Sequence, residues 1–515
     1  MIFVRKISGQ SNSILSKINA HKVSFYKPAG LVFIAFQALV FLPALRNPIP
    51  WSDDWGYIYF ANDSSRNILH DAVASGRPIL GILDQFAYQS NFILNNLIVL
   101  QIFSISGLLF LQLAIFSKFR NSGLPNPIAL LVPLTLILIP GIQGHVYFLS
   151  CSPYSWACLF GFLSYDSINS RHPSRISFGC TLFLVSFLIY PAGAMFYFFS
   201  YLIDYLHNFR NGKTFRGNVH HLFVTSVKMG ACSVGSILIA MLVRAHSGIS
   251  QSSRIEVVNS VEDVVQKVIW VFSRLFVSEF RVFTVASPSP GRAAIELAIV
   301  LTLFVLFILK PLSELTINRT LNFGLLLLIP ILGALPNLMI LENQFEFRTL
   351  TATYAMSLTL WVYSIHEMIK RLLQGSLLKS NRLLLKGDKP IFIVFLPLVL
   401  LTAYHTQQDS KGLWVEPSLI RDEVTNSNLQ GLDSEGNEAV CMVIPEQLYE
   451  PLNRLGIYSL QSDLVSSWVP EPYMKLQLKR FSMNFDRQIR VSRNKDECGP
   501  LDTLIDYSVL KKGHL

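Results

Sequence analysis

Charged side chains are scarce in this sequence, because only 15% of its 515 residues are Asp, Glu, Lys or Arg while 51% are hydrophobic. Several apolar runs approach the roughly 20 residues that a helix needs to cross the hydrocarbon core of a membrane. The net charge of +10 does not indicate a nucleic-acid partner, because the basic residues lie in short connectors between the apolar runs. The composition therefore predicts a multi-spanning membrane protein.

Motifs for several kinds of chemistry are also absent. The sequence contains no Walker loop, no Rossmann glycine fingerprint, no His/Cys spacing typical of a metal site and no nucleophile elbow. We therefore predict no cofactor and no metal ligands, although the sequence leaves dependence on a divalent metal open. Of the six cysteines, Cys441 and Cys498 lie in the polar C-terminal part, where a disulfide and two unpaired thiols are alternatives.

Basic residues predict which side of the membrane each segment occupies. Residues 1–28 contain five Lys or Arg and no acid, which predicts a cytoplasmic N-terminus. The apolar run over 31–45 lacks a convincing cleavage site and is predicted to stay in the protein as the first span. Splitting the long apolar stretch over 176–206 at Tyr190 keeps the later basic connectors inside. The result is a predicted membrane domain of about 11 spans over residues 29–405.

Two predicted external loops, over 46–91 and 244–292, are too long to be simple connectors. The first holds apolar residues at helical spacing on both sides of a break at Gly76, Arg77 and Pro78, and the second holds a similar apolar series. We predict short amphipathic helices in both loops, lying on the membrane surface.

The polar segment 406–515 differs in character from the rest of the chain. It carries mixed charge and lacks any run long enough to span a membrane, so it is predicted to be a small external domain. Residues 440–444 are typical of a buried strand, and 458–460 and 475–485 carry weaker strand signals. The predicted fold class is an all-α polytopic membrane protein with interfacial helices and a small C-terminal mixed α/β domain.

Two adjacent acids, Asp53 and Asp54, follow the first apolar run, where a membrane helix is predicted to emerge into water. Ionisable residues at this depth cost free energy unless they are solvated, paired or functional, so the pair is a candidate catalytic site. The alternative is a helix capped by Ser52, with both acids in its first turn. The two roles can coexist, because neighbouring residues point in different directions.

Several features of the layout carry a resemblance to a known family. They are the acid pair after the first span, Gly76-Arg77-Pro78, the loop helices, the break at Tyr190-Pro191, Phe347-Arg348-Thr349 before a late span, and the external C-terminal domain. Together they resemble the GT-C superfamily of membrane glycosyltransferases, and within it the bacterial O-antigen glucosyltransferases. The resemblance extends through about residue 405 and rests on layout. It has one departure, because Pro191 stands where a polar residue such as Gln would be expected.

The resemblance implies an inverting enzyme of the GT-C type. Such an enzyme transfers a hexose, here glucose, from a polyprenyl-phosphate carrier to a cell-envelope glycan such as lipopolysaccharide O-antigen. The reaction takes place on the outer, periplasmic face of the cytoplasmic (inner) membrane. The implied partners are the polyprenyl-phosphate-sugar donor, a glycan or lipid-linked glycan acceptor, and membrane lipids.

Transfer from a lipid-linked sugar phosphate needs a base for the acceptor hydroxyl and cations for the leaving phosphate. Asp53 or Asp54 is the predicted base. Arg77 and Arg348 are the predicted phosphate partners, because a guanidinium binds phosphate through two parallel hydrogen bonds. The other predicted substrate-binding residues are Trp55, Tyr190 and Glu342.

Plainer alternatives accompany these roles. Arg77 would also serve as a lipid anchor by snorkelling to headgroup phosphates, and Glu342 would also fit a solvated turn between two spans. Two other classes of function share the predicted topology. One is a transporter or flippase of lipid-linked sugars, and the other is a non-catalytic scaffold that binds envelope partners through its C-terminal domain.

Overall fold

The computed structural model describes most of the membrane region and parts of the C-terminal region. The described residues are 28–48, 50, 53–60, 68–90, 93, 96–252, 256–270, 317–340, 349–374, 389–410, 416–430, 439–443, 470–480, 488–492, 497–498 and 503–507. About 81% of the structure is helical. The helical, membrane-like class predicted from composition is therefore confirmed.

The helices and strands follow one another along the chain with short connections. The helices are α1 (Pro28–Arg46), α2 (Asp53–Phe60), α3 (Ile68–Ala74), α4 (Pro78–Gln89), α5 (Ile98–Asn121), α6 (Asn126–Leu136), α7 (Pro140–Tyr147), α8 (Tyr154–Ile168), α9 (Pro173–Ile189), α10 (Pro191–Ala194), α11 (Phe196–Arg210), α12 (Phe215–His246), α13 (Val261–Trp270), α14 (Ile317–Leu328), α15 (Leu335–Met339), α16 (Thr351–Gln374), α17 (Lys389–Ser410), α18 (Glu416–Leu429) and α19 (Pro470–Arg480). Two 3-10 segments, Leu149–Cys151 and Ile329–Ala334, interrupt this series. The strands are β1 (Val440–Val443), β2 (Ile489–Ser492) and β3 (Thr503–Asp506).

Four helical segments in the described part of the chain are long and apolar enough to cross a membrane. They are Pro28–Arg46, Ile98–Asn121, Phe215–His246 and Thr320–Met339. A fifth span results if the bent pair α6 and α7 is counted as one crossing. The larger number of spans predicted from the sequence stays a prediction, and the span predicted over 293–310 lies outside the described residues.

Helix α8 lies at the centre of the membrane bundle, where it packs against α5, α9 and α11. Its neighbour α10 approaches closely because a glycine faces it: a Cβ on Gly193 would lie 2.8 Å from the Cβ of Ala157. This contact is what brings the chain at Tyr190 next to the start of α8. In contrast, α12 exposes apolar side chains such as Phe223 and Leu242, as expected of a helix bordered by lipid.

The connection between α6 and α8 differs from the sequence prediction. The sequence suggested a tight turn over 141–144, whereas these residues belong to the helix α7, which is bent by 50° from α6. Proline explains the helix, because Pro140 lies in its first turn, where the missing N–H has no intrahelical partner to lose. The chain thereby reaches one end of the bundle at the 3-10 segment Leu149–Cys151.

The opposite end of the bundle carries an ionic cluster. The Lys118 ammonium contacts Asp166 and lies 3.0 Å from Asp204. It also lies 4.8 Å from the centre of the Tyr165 ring. Asp204 was interpreted from the sequence as part of a solvated helix end, and the structure instead pairs it with a lysine of another helix. Charges of the short connectors thus gather at the end remote from Asp54.

Helices α3 and α4 form a tight corner after α2. Gly76 adopts a φ of 74°, a conformation that favours glycine, and the Arg77 amide donates to the Ala72 carbonyl at 2.8 Å. Pro78 then starts α4 with the φ that a helix needs. The two short helices predicted on either side of Gly76 are therefore confirmed, and the corner fixes the backbone of Arg77.

The C-terminal region contains a parallel three-stranded sheet in the order β2-β1-β3. All four residues of the central strand β1 are buried, in agreement with the strand predicted there. Strands β2 and β3 were not predicted. The weak strand signal over 475–485 was wrong in its described part, because residues through Arg480 belong to α19. The segment 458–460 lies outside the described residues.

A disulfide joins Cys441 on β1 to Cys498, which decides between the two alternatives left by the sequence. The bond closes a loop with a sequence separation of 57 residues. In the chain-entropy description, removing such a crosslink destabilises a domain by about 4 kcal/mol. We expect the double variant Cys441→Ser with Cys498→Ser to lose protection of the β1 amides from hydrogen exchange.

The matched control for this prediction is Cys232→Ser, which removes a free thiol on α12. That variant should leave the β1 amides as protected as in the parent protein. Alkylation of Cys441 in unreduced parent protein, read by mass spectrometry, would contradict the disulfide.

Candidate functional site

The Asp54 carboxylate lies at the centre of a polar cluster at one end of the bundle. It is fully buried, and it accepts hydrogen bonds from the Ser150 amide at 2.8 Å and the Leu149 amide at 3.0 Å. The Tyr88 hydroxyl donates to the same carboxylate at 3.2 Å. Backbone amides favour an ionised acceptor, so these contacts join α2 firmly to the 3-10 segment. Asp54 therefore links two distant parts of the chain.

A second carboxyl, Asp84 on α4, lies beside Asp54 and is only 3% exposed. Burial raises the pKa of Asp84 well above its usual value, and the nearby Asp54 raises it further, whereas Arg77 acts in the opposite direction. The carboxyl makes no hydrogen bond within the part of the chain that the structure describes. Asp84 thus differs from Asp54 in having its oxygens uncommitted and in holding its proton to higher pH.

Tyr88 lies one helical turn beyond Asp84 and completes the acidic end of the cluster. Burial raises the pKa of Tyr88 well above its usual value, and Asp54 and Asp84 add to this effect. The phenol therefore stays protonated and keeps donating to Asp54. The Tyr57 ring of α2 packs against it with centroids 5.7 Å apart. This contact is a second link between α2 and α4.

Arg77 is half-buried at the start of α4, where its Nη1 donates to the Tyr154 hydroxyl at 3.2 Å. Tyr154 in turn stacks on Tyr190, with ring centroids 3.8 Å apart and planes within 7°. The buried His145 ring meets the edges of this pair, with centroids 5.6 and 6.3 Å from those of Tyr154 and Tyr190. The aromatic group supports the guanidinium from one side and gives it a fixed orientation.

Trp55 points away from this cluster and into the C-terminal region. Its ring is 7% exposed and packs with Met442, Tyr473 and Ile505, which belong to β1, α19 and β3. The sequence predicts a substrate-binding role for Trp55, whereas the structure places its ring inside the core of the C-terminal domain. The helix α2 therefore contacts both regions of the protein.

The other predicted site residues are placed as follows. Asp53 begins α2, and its side chain is not among those described. Arg348 and Glu342 lie outside the described residues, so their roles stay predictions. Tyr190 lies at the site, where its observed contact is the stack on Tyr154. The structure thus brings together Asp54, Arg77 and Tyr190, which are far apart in the sequence.

Sequence reasoning missed Asp84 and Tyr88, although a signal for them exists. Arg77, Asp84 and Tyr88 are spaced by seven and four residues, so they share one face of α4. The sequence interpretation followed the apolar residues of this helix and overlooked the polar stripe. Two of those apolar residues, Ile82 and Phe86, are exposed by 59% and 72%, and the polar stripe is the buried face.

The cluster combines three chemical capabilities at one end of an apolar bundle. A carboxyl with a raised pKa is suited to exchange protons near neutral pH, and a fixed guanidinium is suited to bind a phosphate. A committed carboxylate next to both holds the site together. Within the described residues, no group of three or more His, Cys, Asp or Glu side chains is arranged to hold a metal ion.

Comparisons with known proteins add no relative to this description. No protein-family model matches the chain, and no curated protein matches it either.

Proposed function

We propose that this chain is a membrane glycosyltransferase that moves a hexose from a polyprenyl-phosphate carrier to a cell-envelope glycan. The observation that carries the proposal is the buried pair Asp54 and Asp84 with Arg77 beside it. A proton acceptor and a phosphate partner next to an apolar bundle are what transfer from a lipid-linked sugar phosphate requires. Glucose as the hexose, O-antigen as the acceptor, the eleven spans and an outward-facing site at the cytoplasmic membrane belong to the same proposal.

Asp84 is the base in this reaction. The acceptor hydroxyl attacks the anomeric carbon, its proton passes to the Asp84 carboxylate, and the bond from that carbon to the phosphate oxygen breaks. The leaving group departs as polyprenyl phosphate with the bonding electron pair. A single displacement of this kind inverts the anomeric configuration. Asp54 stays ionised beside the reaction centre, holding the loop and raising the proton affinity of Asp84.

Arg77 receives the leaving phosphate. A guanidinium has five N–H donors in a planar fork, and the bond to Tyr154 fixes the plane of that fork. The stacked pair Tyr154 and Tyr190 prevents the plane from turning. Exposed apolar side chains on α4, such as Phe86, lie on the opposite face of this helix and suit contact with the lipid chains of the membrane and the donor.

The Arg77→Lys variant tests the phosphate role. Lysine keeps the positive charge and the ability to snorkel, but it loses the planar fork and the bond to Tyr154. We expect the initial rate of transfer to fall by about one to two orders of magnitude, equivalent to about 1.5–3 kcal/mol of charge-assisted hydrogen bonding. The measurement uses purified protein in vesicles containing a polyprenyl-phosphate hexose, with Arg77→Ala as the reference.

Tyr154→Phe is the matched control, because it removes only the hydroxyl that accepts from Arg77 and keeps the stack on Tyr190. It should reduce the rate less than the lysine variant does. A lysine variant as active as the parent would reduce Arg77 to a lipid anchor. Movement of the intact donor across the vesicle membrane, without a transferred hexose, would favour a flippase. Absence of both activities would favour a scaffold.

A further inference from the structure

Helix α2 contacts the two regions of the protein through neighbouring side chains. Asp54 accepts the amides of Leu149 and Ser150 in the membrane bundle, whereas Trp55 lies in the C-terminal core. Consecutive residues of a helix point about 100° apart, so one short helix can present the acid to one partner and the indole to the other. The residues of α2 thus connect the candidate site to the C-terminal domain.

The site that holds Trp55 is specific in geometry. The Tyr473 ring meets the indole edge to face, with centroids 4.9 Å apart and planes at 78°. The Arg421 guanidinium carbon lies 5.0 Å from the Trp55 ring centre and 4.5 Å from the Tyr473 ring centre. Because Arg421 is only 1% exposed, its attraction to both rings is weakly screened by water. Asp422 pairs with the same guanidinium at 2.7 Å.

The position of α2 depends on these contacts, because the helix cannot hold itself in place. It has eight residues, fewer than an isolated helix needs to be stable in water. Its contacts with the bundle are the Asp54 hydrogen bonds and the ring contact of Tyr57 with Tyr88. Its contacts with the C-terminal domain are those of Trp55 and a Lys475 ammonium 5.9 Å from the Tyr59 ring centre.

We infer that Trp55 is a positioning residue through which the C-terminal domain sets the candidate site. The domain grips Trp55, the rigid turn of α2 carries this constraint to Asp54, and Asp54 then stays on the Leu149 and Ser150 amides beside Asp84. The C-terminal domain is in this way a working part of the site. The consequence for transfer rests on the proposed function, whereas the placement of Asp54 does not.

Hydrogen exchange of the full chain tests the placement directly. In Trp55→Ala, the amides of Leu149 and Ser150 should exchange about tenfold faster or more, since their acceptor is no longer held in place. Trp55 lies in a different core from these amides, so a change there reports the linkage through α2. Asp54→Ala, which removes the acceptor, gives the upper limit of the effect. The measurement is made by mass spectrometry on protein in lipid nanodiscs.

Two further variants separate the linkage from general damage. Val491→Ala alters an exposed residue of β2 in the same domain and should leave the two amides unchanged. Trp55→Phe keeps an aromatic ring for Arg421 and Tyr473, and it should restore most of the protection lost in Trp55→Ala. Unchanged exchange at Leu149 and Ser150 in Trp55→Ala would overturn the proposal, whether or not α19 becomes exposed.

Transfer measurements distinguish this proposal from the proposed function. If the chain transfers hexose, Trp55→Ala should slow it by about one to two orders of magnitude, and Trp55→Phe should recover most of the rate. If the chain transfers nothing, the exchange result still decides whether Trp55 places Asp54. Normal transfer by Trp55→Ala with fast exchange at Leu149 and Ser150 would overturn the role of the linkage in the reaction.

Discussion

Asp84→Asn should lower the rate of hexose transfer by about two to four orders of magnitude, the range expected for removal of a general base. The same change should leave the protein as stable as the parent at neutral pH, or more stable. Asparagine has nearly the shape of aspartate but carries no charge to be buried next to Asp54. The two measurements are the initial transfer rate in vesicles and the thermal unfolding midpoint in detergent.

The pH dependence of this prediction follows from the raised pKa of Asp84. The base works only when ionised, so the parent rate should rise with pH through a midpoint above that of an ordinary carboxyl. Between the usual and the raised pKa, the folded state holds a proton that the unfolded state has released. Stability due to this group is therefore lost as pH rises through that interval, and Asp84→Asn should remove the loss.

Asp71→Asn is the matched control for Asp84→Asn, since it neutralises an acid on the adjacent helix α3. It should change neither the rate nor the pH midpoint by more than about twofold. Full activity of Asp84→Asn would refute Asp84 as the base and return the role to Asp53 or Asp54.

Asp54→Ala should lose transfer and stability together. The variant leaves the buried amides of Leu149 and Ser150 without their acceptor, and hydrogen bonds to a charged group contribute about 1.5–3 kcal/mol each. We expect a total destabilisation of about 3–6 kcal/mol and at least a 100-fold lower rate, because the loop carrying the site is released. Thermal unfolding and vesicle assays on the same preparation provide both values.

Asp54→Asn separates charge from shape at the same position. Its oxygen can still accept from Ser150 and Tyr88, but its NH₂ group would face the Leu149 amide, donor against donor. Its stability should therefore fall between those of the parent and Asp54→Ala. A fully stable Asp54→Ala protein that lacks transfer would contradict the structural role and make Asp54 a chemical participant.

The contrast between these two acids explains how far the sequence could lead. Composition and apolar runs predict a helical membrane protein, because crossing a membrane forces that pattern on the chain. The acid pair, Arg77 and the corner at Gly76 were found for local reasons that a sequence contains. The capping alternative for the acids was close in kind to the observed geometry, except that Asp54 accepts amides from a distant segment.

Contacts between distant segments account for what the sequence could not predict. Nothing near Asp54 in the chain announces that its partners are the amides of Leu149 and Ser150. Nothing near Trp55 announces a cage formed by Arg421 and Tyr473. Asp84 could have been noticed from its spacing to Arg77 on α4, but its raised pKa depends on burial and on Asp54, which only the packed structure defines.

The capture of Trp55 by the C-terminal core also orders the biosynthesis of the site. Trp55 precedes Tyr473 by more than 400 positions, so at ordinary translation rates it leaves the ribosome about 20–80 s before its partner exists. During that interval the membrane bundle can insert and pack while α2 still lacks its second anchor. The site is therefore completed only when the last strands have formed, and a nascent chain stalled in the membrane carries its acids without the arrangement that makes them useful.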